Sequence, residues 1–452
     1  MSALPSGPRG FLRVNWQLMR DPIGTALRWR SQYGDPMTYP DLEGKPCLVV
    51  GSPEGISSLL SAPLEATEQA LVERLSAFLG ESSVLTISGP RHAAMRKLLT
   101  PPFHGQRMRV YGKQICDLTV EHARKLPPGL KFKPLDFING IGLEVIVRLI
   151  FGVTAPERVA LVETLVADMR KAFPRAIIPM LIPWLRRELW GFGPWARMQA
   201  TLRAVSGFLK EEIANHRAHP TEQSDILSLL IAARHEDGSG LTDQEIIDQL
   251  HTLLFAGHST TAMALNWALY FLLKEPQTLA RLRKELTELG SNPSPELLAK
   301  APFLEAVCHE TLRLRSPLGG IGRKLRTPLT VAGIPLPAGS TIIVNILWAH
   351  FHHDTYPQPE QFSPERFLTR SYSPFEFLPF GGGNRRCIGA AFALYEMKLV
   401  LATLLLHVDF ELLTTQPIRV VQREFLQPHV PLEMVPHPRT DTAVRHHDTL
   451  RS

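Results

Sequence analysis

The chain has 452 residues, 44% hydrophobic and 20% charged, enough to bury a sizeable core. Its formal charge of +6 comes without any Lys/Arg block interleaved with aromatics, which argues against nucleic acid as a partner. No apolar run approaches the ~20 residues needed to cross a bilayer, and four cysteines without paired spacing argue against a disulfide framework or a zinc knuckle. Residues 1–10 hold no apolar signal core, so the expectation is a soluble, cytoplasmic protein without a transmembrane anchor.

In chain order, Phe11, Val14, Leu18, Ile23 and Leu27 recur at roughly helical spacing and predict one helix over 11–33. Residues 37–39 and 47–50 predict short strands around the turn at 41–45, and a helix follows over 53–61. Residues 62–87 show no clean period and predict a loop with a short helix; long loops inside a compact domain are often functional. His92 and Arg96 are four apart and share a helix face. Helices are expected over 105–126, 139–152 and 156–172. Residues 173–187 are apolar, basic and broken by three prolines, which predicts an access lid.

A long helix is predicted over 241–274, opened by a capping box of Thr242 and Glu245. Near its centre Gly257, Thr260, Thr261 and Ala264 fall on one small, hydroxylated face. A glycine inside a helix costs roughly 1 kcal/mol against alanine, so Gly257 needs a reason. Glu310 and Arg313 lie three apart among apolar flanks, and Arg366 follows in Phe362-Ser-Pro-Glu-Arg-Phe367. A buried glutamate between two arginines is costly unless every lone pair is satisfied, so this trio predicts a fixed structural pin. Strands are expected at 329–331 and 341–345 and a hairpin over 408–422. The tail 437–452 reads as disordered, leaving 1–436 as one domain.

Residues 376–390 pack an aromatic pair, three consecutive glycines, two arginines and Cys387 into one stretch. Gly381, Gly382 and Gly383 let the backbone turn tightly and approach something flat. Cys387 reads as standing at the mouth of a helix that begins at Ile388. Free N–H groups and the positive dipole end there favour a thiolate, a strong ligand for a soft or borderline metal. Arg385 and Arg386 add positive charge suited to carboxylates. Cys47, Cys116 and Cys308 have no such setting and read as inert core.

The pattern Phe-x-x-Gly-x-Arg-x-Cys-x-Gly, filled by Phe380, Gly383, Arg385, Cys387 and Gly389, resembles the heme-ligand loop of the cytochrome P-450 superfamily, bacterial members above all. Motifs similar to that family's occur in its order from residue 89 to 389. The resemblance implies a mainly α, triangular prism-like fold with a small β region. Heme b would lie between the long distal helix and the cysteine loop. Cys387 would be the axial thiolate and the metal ligand, with Phe380, Gly381 and Gly389 also against the cofactor. His92, Arg96, Arg323 and Arg385 would hold the propionates. Glu310, Arg313 and Arg366 match the family's scaffold triad. Ala256, Gly257 and Thr260 match the distal helix, Thr260 being the hydroxyl that holds dioxygen. Ser259 stands where the family usually has an acid. His258 as a second ligand is disfavoured, since it lies about 100° around the helix from Gly257. Leu318, Gly319, Gly320, Phe425 and Leu426 would line the substrate pocket, the two glycines leaving extra room.

The reaction implied is insertion of one atom of O2 into a C–H or C=C bond of a hydrophobic substrate (fatty acid, terpenoid or steroid). Electrons would come from a separate ferredoxin- or flavodoxin-type donor and its reductase. An acidic donor would be steered to Arg107, Arg109, Lys113, Arg385 and Arg386. A monomer is expected. A peroxygenase, a heme isomerase and a non-catalytic heme or lipid sensor are the alternatives.

Overall fold

Proline sets many of the helix starts: it occupies the first turn of helices beginning at residues 22, 53, 89, 134, 194, 276, 295 and 302. There its fixed φ suits the helix and its missing N–H costs nothing. The computed structural model describes residues 4–439, apart from 42–43, 71, 104, 154, 182–184, 187–191 and 220–224. The N-terminal part runs α1 (Phe11–Arg20), α2 (Pro22–Tyr33), β1 (Met37–Pro40), β2 (Pro46–Val50), α3 (Pro53–Leu60), β3 (Thr67–Gln69), α4 (Val72–Leu79) and α5 (Gly89–Leu99). The helical middle comprises α6 (Gln106–Arg124), α7 (Pro134–Phe151), α8 (Pro156–Leu181), α9 (Pro194–Ala218), α10 (Ile226–Ala232), α11 (Asp243–Gly257), α12 (Ser259–Lys274), α13 (Pro276–Glu288), α14 (Pro295–Lys300) and α15 (Pro302–Leu314). Then come β4 (Gly320–Leu325), β5 (Leu329–Val331), β6 (Ile334–Leu336), β7 (Thr341–Asn345), α16 (Ile346–His350), α17 (Arg366–Thr369), α18 (Ala390–His407), β8 (Val408–Leu412), β9 (Val420–Gln422), β10 (Leu426–Pro428) and β11 (Met434–Pro438).

The main sheet has the order β1-β2-β7-β4-β3. Its one parallel pair joins β2 to β7, with Leu48 opposite Ile342 and Val50 opposite Val344. β3 completes the edge, setting Gln69 opposite Arg323. The helical core is built on α7, α12, α15 and α18. α18 is long and apolar enough to cross a membrane by composition, contrary to the reading of the sequence. Its residues from Tyr395 to Leu405 are nevertheless buried in protein, so it is a core helix. α6 lies against it so closely that a side chain at Gly112 would overlap the Tyr395 hydroxyl.

Several boundaries differ from those expected. The helix over 11–33 breaks at Asp21, whose carboxylate accepts the Gly24 N–H and caps α2. The loop over 62–87 contains β3 as well as α4. α8 continues through Pro174 and Pro179 to Leu181, so half of the expected lid is helix; 182–184 and 187–191 lie outside the described residues. The hairpin over 408–422 does not form: β8 pairs with β11, and β9 with β10. His437 and Pro438 belong to β11, two residues past the expected boundary, and 440–452 lie outside the described residues.

Candidate active site

Glu310 and Arg313 of the scaffold trio are fully buried and Arg366 largely so. Glu310 Oε2 accepts from Arg313 Nε at 2.7 Å, and Oε1 accepts from Arg313 at 2.8 Å, Arg366 Nε at 3.0 Å and the Ser363 N–H at 2.9 Å. Arg313 also donates to the His350 carbonyl at 2.7 Å and lies over the Tyr356 ring. His350 was not singled out in the sequence and nothing local marks it. Its Nδ1–H donates to the Arg313 carbonyl at 3.0 Å and its Nε2 accepts the Leu378 N–H at 3.0 Å. The trio is thereby tied to the backbone two residues before Phe380.

The cysteine loop follows directly. The Cys387 N–H donates to the Phe380 carbonyl at 2.9 Å, closing a loop around a short 3-10 turn at Gly383–Arg385. Gly383 has φ 64°, and a Cβ there would overlap the Leu60 carbonyl oxygen, so only glycine fits. α18 begins at Ala390 with Gly389 as its N-cap, so Cys387 precedes the cap by two residues instead of starting the helix. Burial pushes the free thiol up; the Gly389 N–H, Arg96 and Arg386 pull it the other way but do not prevail. The helix end therefore does not hold a free thiolate by itself, and a metal must supply the remaining stabilisation. Cys387 keeps accessible surface although protein surrounds it, so it opens on an internal space. Cys47 and Cys308 are buried, with their thiols pushed up to about 12, and stay inert.

Four cationic or cationisable groups meet beside that space. His92 is buried, and its Nδ1 has no hydrogen-bond partner among the described residues. Burial, then Arg385, Arg96 and Arg323, hold it down to about 4. Arg385 donates to the Ile87 carbonyl at 2.7 Å and to Ser88 Oγ at 2.8 Å; Arg323 donates to Gln69 Oε1 at 2.8 Å. None of the three arginines forms an ion pair among the described residues. A cluster of one buried and two half-buried arginines without ion pairs, and an orphaned imidazole nitrogen, suits a group carrying two carboxylates. With an accessible cysteine sulfur alongside, the donor set fits heme. Arg385 belongs to this cluster and not to an outer docking surface.

The long distal helix is two helices, α11 and α12, interrupted at His258. The capping box of Thr242 and Glu245 is present. The Thr260 hydroxyl donates back to the Ala256 carbonyl at 2.9 Å, a bond that bends helices. Ala256 is exposed and Thr260 half-exposed, whereas Ser259 and Thr261 are buried. Thr261, expected on the same face, is buried against Glu396 of α18, whose carboxyl burial pushes up to about 8. Gly257 has a packing reason: a Cβ there would sit 3.0 Å from Ile146 of α7. His258 is buried; its Nδ1–H donates to the Leu254 carbonyl at 2.9 Å, leaving Nε2 to accept from Ser259 Oγ–H at 3.0 Å. It does not face the internal space.

Phe78 of α4, Phe173 of α8 and Phe255 of α11 form a ring trio with centroids 4.7–5.1 Å apart. The expected pocket wall is only partly as read. Leu318 is exposed and Phe425 mostly buried, but Leu426 is fully buried in the core beside Trp267, so it lines no pocket. The missing side chains of Gly319 and Gly320 face Leu347, Leu426 and the Val344 carbonyl. Gly320 thereby allows close packing of β4 on β7.

Three core histidines, His251, His258 and His350, are held neutral by burial, at about 4, 4 and 3. In the unfolded chain each takes up a proton near 6.5. Between that value and the folded one the unfolded state binds more protons, so stability falls as pH falls. Each histidine contributes up to about 1.4 kcal/mol per pH unit in that window. Chemical denaturation at pH 7.5 and pH 5 should show a clear loss at pH 5; equal midpoints would mean that these side chains are not buried.

A family model described as Cytochrome P450 matches residues 5–435. Cytochrome P450 135B1 of Mycobacterium tuberculosis is 35% identical over 365 residues, 80% of this chain and 74% of that protein. Cytochrome P450 137 of the same organism is 33% identical over 408 residues, 88% and 82% of the two chains. The solved structure of retinoic acid-bound cyanobacterial CYP120A1 superposes with a TM-score of 0.83 at 26% identity, covering 97% of this chain and 100% of that one.

Proposed function

The chain belongs to the cytochrome P450 family and is a heme-thiolate monooxygenase, and from that premise we propose that it oxidises an apolar small molecule bound between the aromatic trio and the cysteine loop, using electrons from a separate acidic donor. Heme would be held by Cys387 and, when bound, would supply dioxygen activation and oxygen insertion. Arg96, Arg323, Arg385 and the unpartnered His92 Nδ1 would hold its propionates. Phe78, Phe173 and Phe255 offer a carbon-lined wall that suits a terpenoid, steroid or fatty acyl substrate. The retinoic acid in the cyanobacterial relative is an apolar isoprenoid acid of that kind. The accessible Thr260 hydroxyl carries this reading: of Ser259, Thr260 and Thr261 it is the one that is not buried. Its role is to hold dioxygen and a water in place. Ser259 spends its proton on His258 Nε2, so a relay through Ser259 runs through His258 as well.

Thr260→Ala should keep the heme and bind substrate normally, yet divert most electrons from a surrogate reductase and ferredoxin to hydrogen peroxide. Product yield per NAD(P)H then falls several-fold; an unchanged yield removes Thr260 from the mechanism. Equal rates with peroxide alone in the unaltered protein would replace the monooxygenase with a peroxygenase.

The donor would dock where α6 lies against α18. Arg109, Lys113 and Arg386 are exposed there, Lys113 next to Asp117 at 2.5 Å; the Arg107 side chain lies outside the described residues. Surface charges are screened within about 8 Å at physiological ionic strength. Reduction by an acidic ferredoxin should therefore slow at least tenfold between low and high salt, measured by stopped flow. A flat response would place the docking site elsewhere. A cytoplasmic, monomeric enzyme is part of this proposal.

A further inference from the structure

The first helix carries a surface that the oxidation chemistry does not use. α1 turns Val14, which is fully buried, and Leu18 onto the core cluster shared with Met37 and Val420. The opposite face holds Leu12, Trp16 and Met19, which are 81%, 55% and 55% exposed. At 100° per residue these three fall within about 60° of one another, so they form one stripe and not three isolated exposures. Nothing among the described residues covers them.

The charges around the stripe all have one sign. Arg13 and Arg20 border it along one edge and Arg9 precedes the helix. The Arg20 guanidinium lies over the Trp16 ring, 5.1 Å from its centroid. None of the three arginines has a carboxylate partner among the described residues, and residues 4–20 contain no acid. The first acid, Asp21, caps α2 and pairs with Arg28. An exposed leucine, tryptophan and methionine edged by unpaired arginines match the boundary of an anionic bilayer: apolar tips enter the acyl region while guanidinium groups reach phosphates. A soluble acidic partner would meet the arginines but leave the stripe wet. A second copy would bring like charges together.

We propose that α1 is an in-plane membrane contact that seats the protein on anionic phospholipid, with the rest of the fold in water. Three side chains on ten residues give shallow, reversible binding, which needs both the apolar and the electrostatic part. The holoenzyme should sediment with large unilamellar vesicles of phosphatidylcholine and phosphatidylglycerol in equal parts. Binding should weaken at least tenfold on pure phosphatidylcholine and in high salt. Leu12→Ser/Trp16→Ser/Met19→Ser should lose vesicle binding by a similar factor. Arg9→Gln/Arg13→Gln/Arg20→Gln should remove the salt dependence. Both variants should keep the reduced carbon-monoxide spectrum and the denaturation midpoint, which separates this result from any failure of the heme or the fold. The proposal is overturned by no binding to the anionic vesicles, by equal binding of the serine variant, or by a dimer in sedimentation velocity that the serine variant abolishes without any vesicle binding.

Discussion

Cys387→Ser abolishes the red-shifted Soret band of the reduced carbon-monoxide complex, and turnover with it. The substitution is nearly isosteric, so the loop closed by the Cys387 N–H and the Phe380 carbonyl should persist, as should the glycine contact with Leu60. What changes is the ligand. A soft thiolate is exchanged for a hydroxyl that binds iron weakly and stays protonated near neutrality. The arginine cluster still offers its donors, so some heme should be retained, and the heme-to-protein ratio read beside the spectrum separates lost ligation from lost cofactor. A variant with the parent spectrum would show that Cys387 is not the ligand.

Glu310→Ala costs about 3–5 kcal/mol of folding stability, because it leaves one fully buried arginine and one largely buried arginine facing each other without their shared carboxylate. Four hydrogen-bond donors lose their acceptor, counting the Ser363 N–H. The damage should spread to the cysteine loop, since Arg313 is bonded to His350 and His350 to the Leu378 N–H. Denaturant unfolding of the heme-loaded variant should show a much lower midpoint and earlier loss of the Soret band than of far-ultraviolet helicity. Glu310→Gln keeps an acceptor and should fall between the two. A midpoint within about 1 kcal/mol of the parent would mean that the carboxylate is solvated or replaceable, against the packing described.

The elements most legible in the sequence were those whose residues must be chemically unusual to exist at all. Cys387 and the arginines around it, the buried Glu310 with Arg313 and Arg366, and the capping box at Thr242 could be named because each places charge or a reactive atom where an ordinary core would not. Side-chain direction was far less legible. Gly319 and Gly320 were read as leaving extra room, yet a Cβ on Gly320 would sit 2.9 Å from the Val344 carbonyl oxygen, and the glycine at 257 likewise meets a neighbour, Ile146. Glycine gives the same signal for a space left open and for one filled from across the fold. Thr261 was grouped with Thr260 on one face, but it follows Thr260 by one residue, about 100° around α12, and is buried against Glu396. His350 and the trio of Phe78, Phe173 and Phe255 escaped notice because their partners lie far away in the sequence, and no local pattern encodes such meetings.

The bond from Arg385 to the Ile87 carbonyl spans 298 residues. During synthesis at about 5–20 residues per second, the carbonyl leaves the ribosome on the order of 15–60 s before its donor. The sheet shows the same delay, because β2 awaits β7 and β3 awaits β4. Through that interval Leu48, Val49 and Val50 are paired with β1 alone, and the edge that β7 will cover stays open. The nascent chain must be shielded there until its last quarter emerges, and cofactor capture is necessarily a late, post-translational event. The arrangement that gives the site its rigidity thus makes yield in a cell depend on chaperone supply and heme supply arriving together at the end of synthesis.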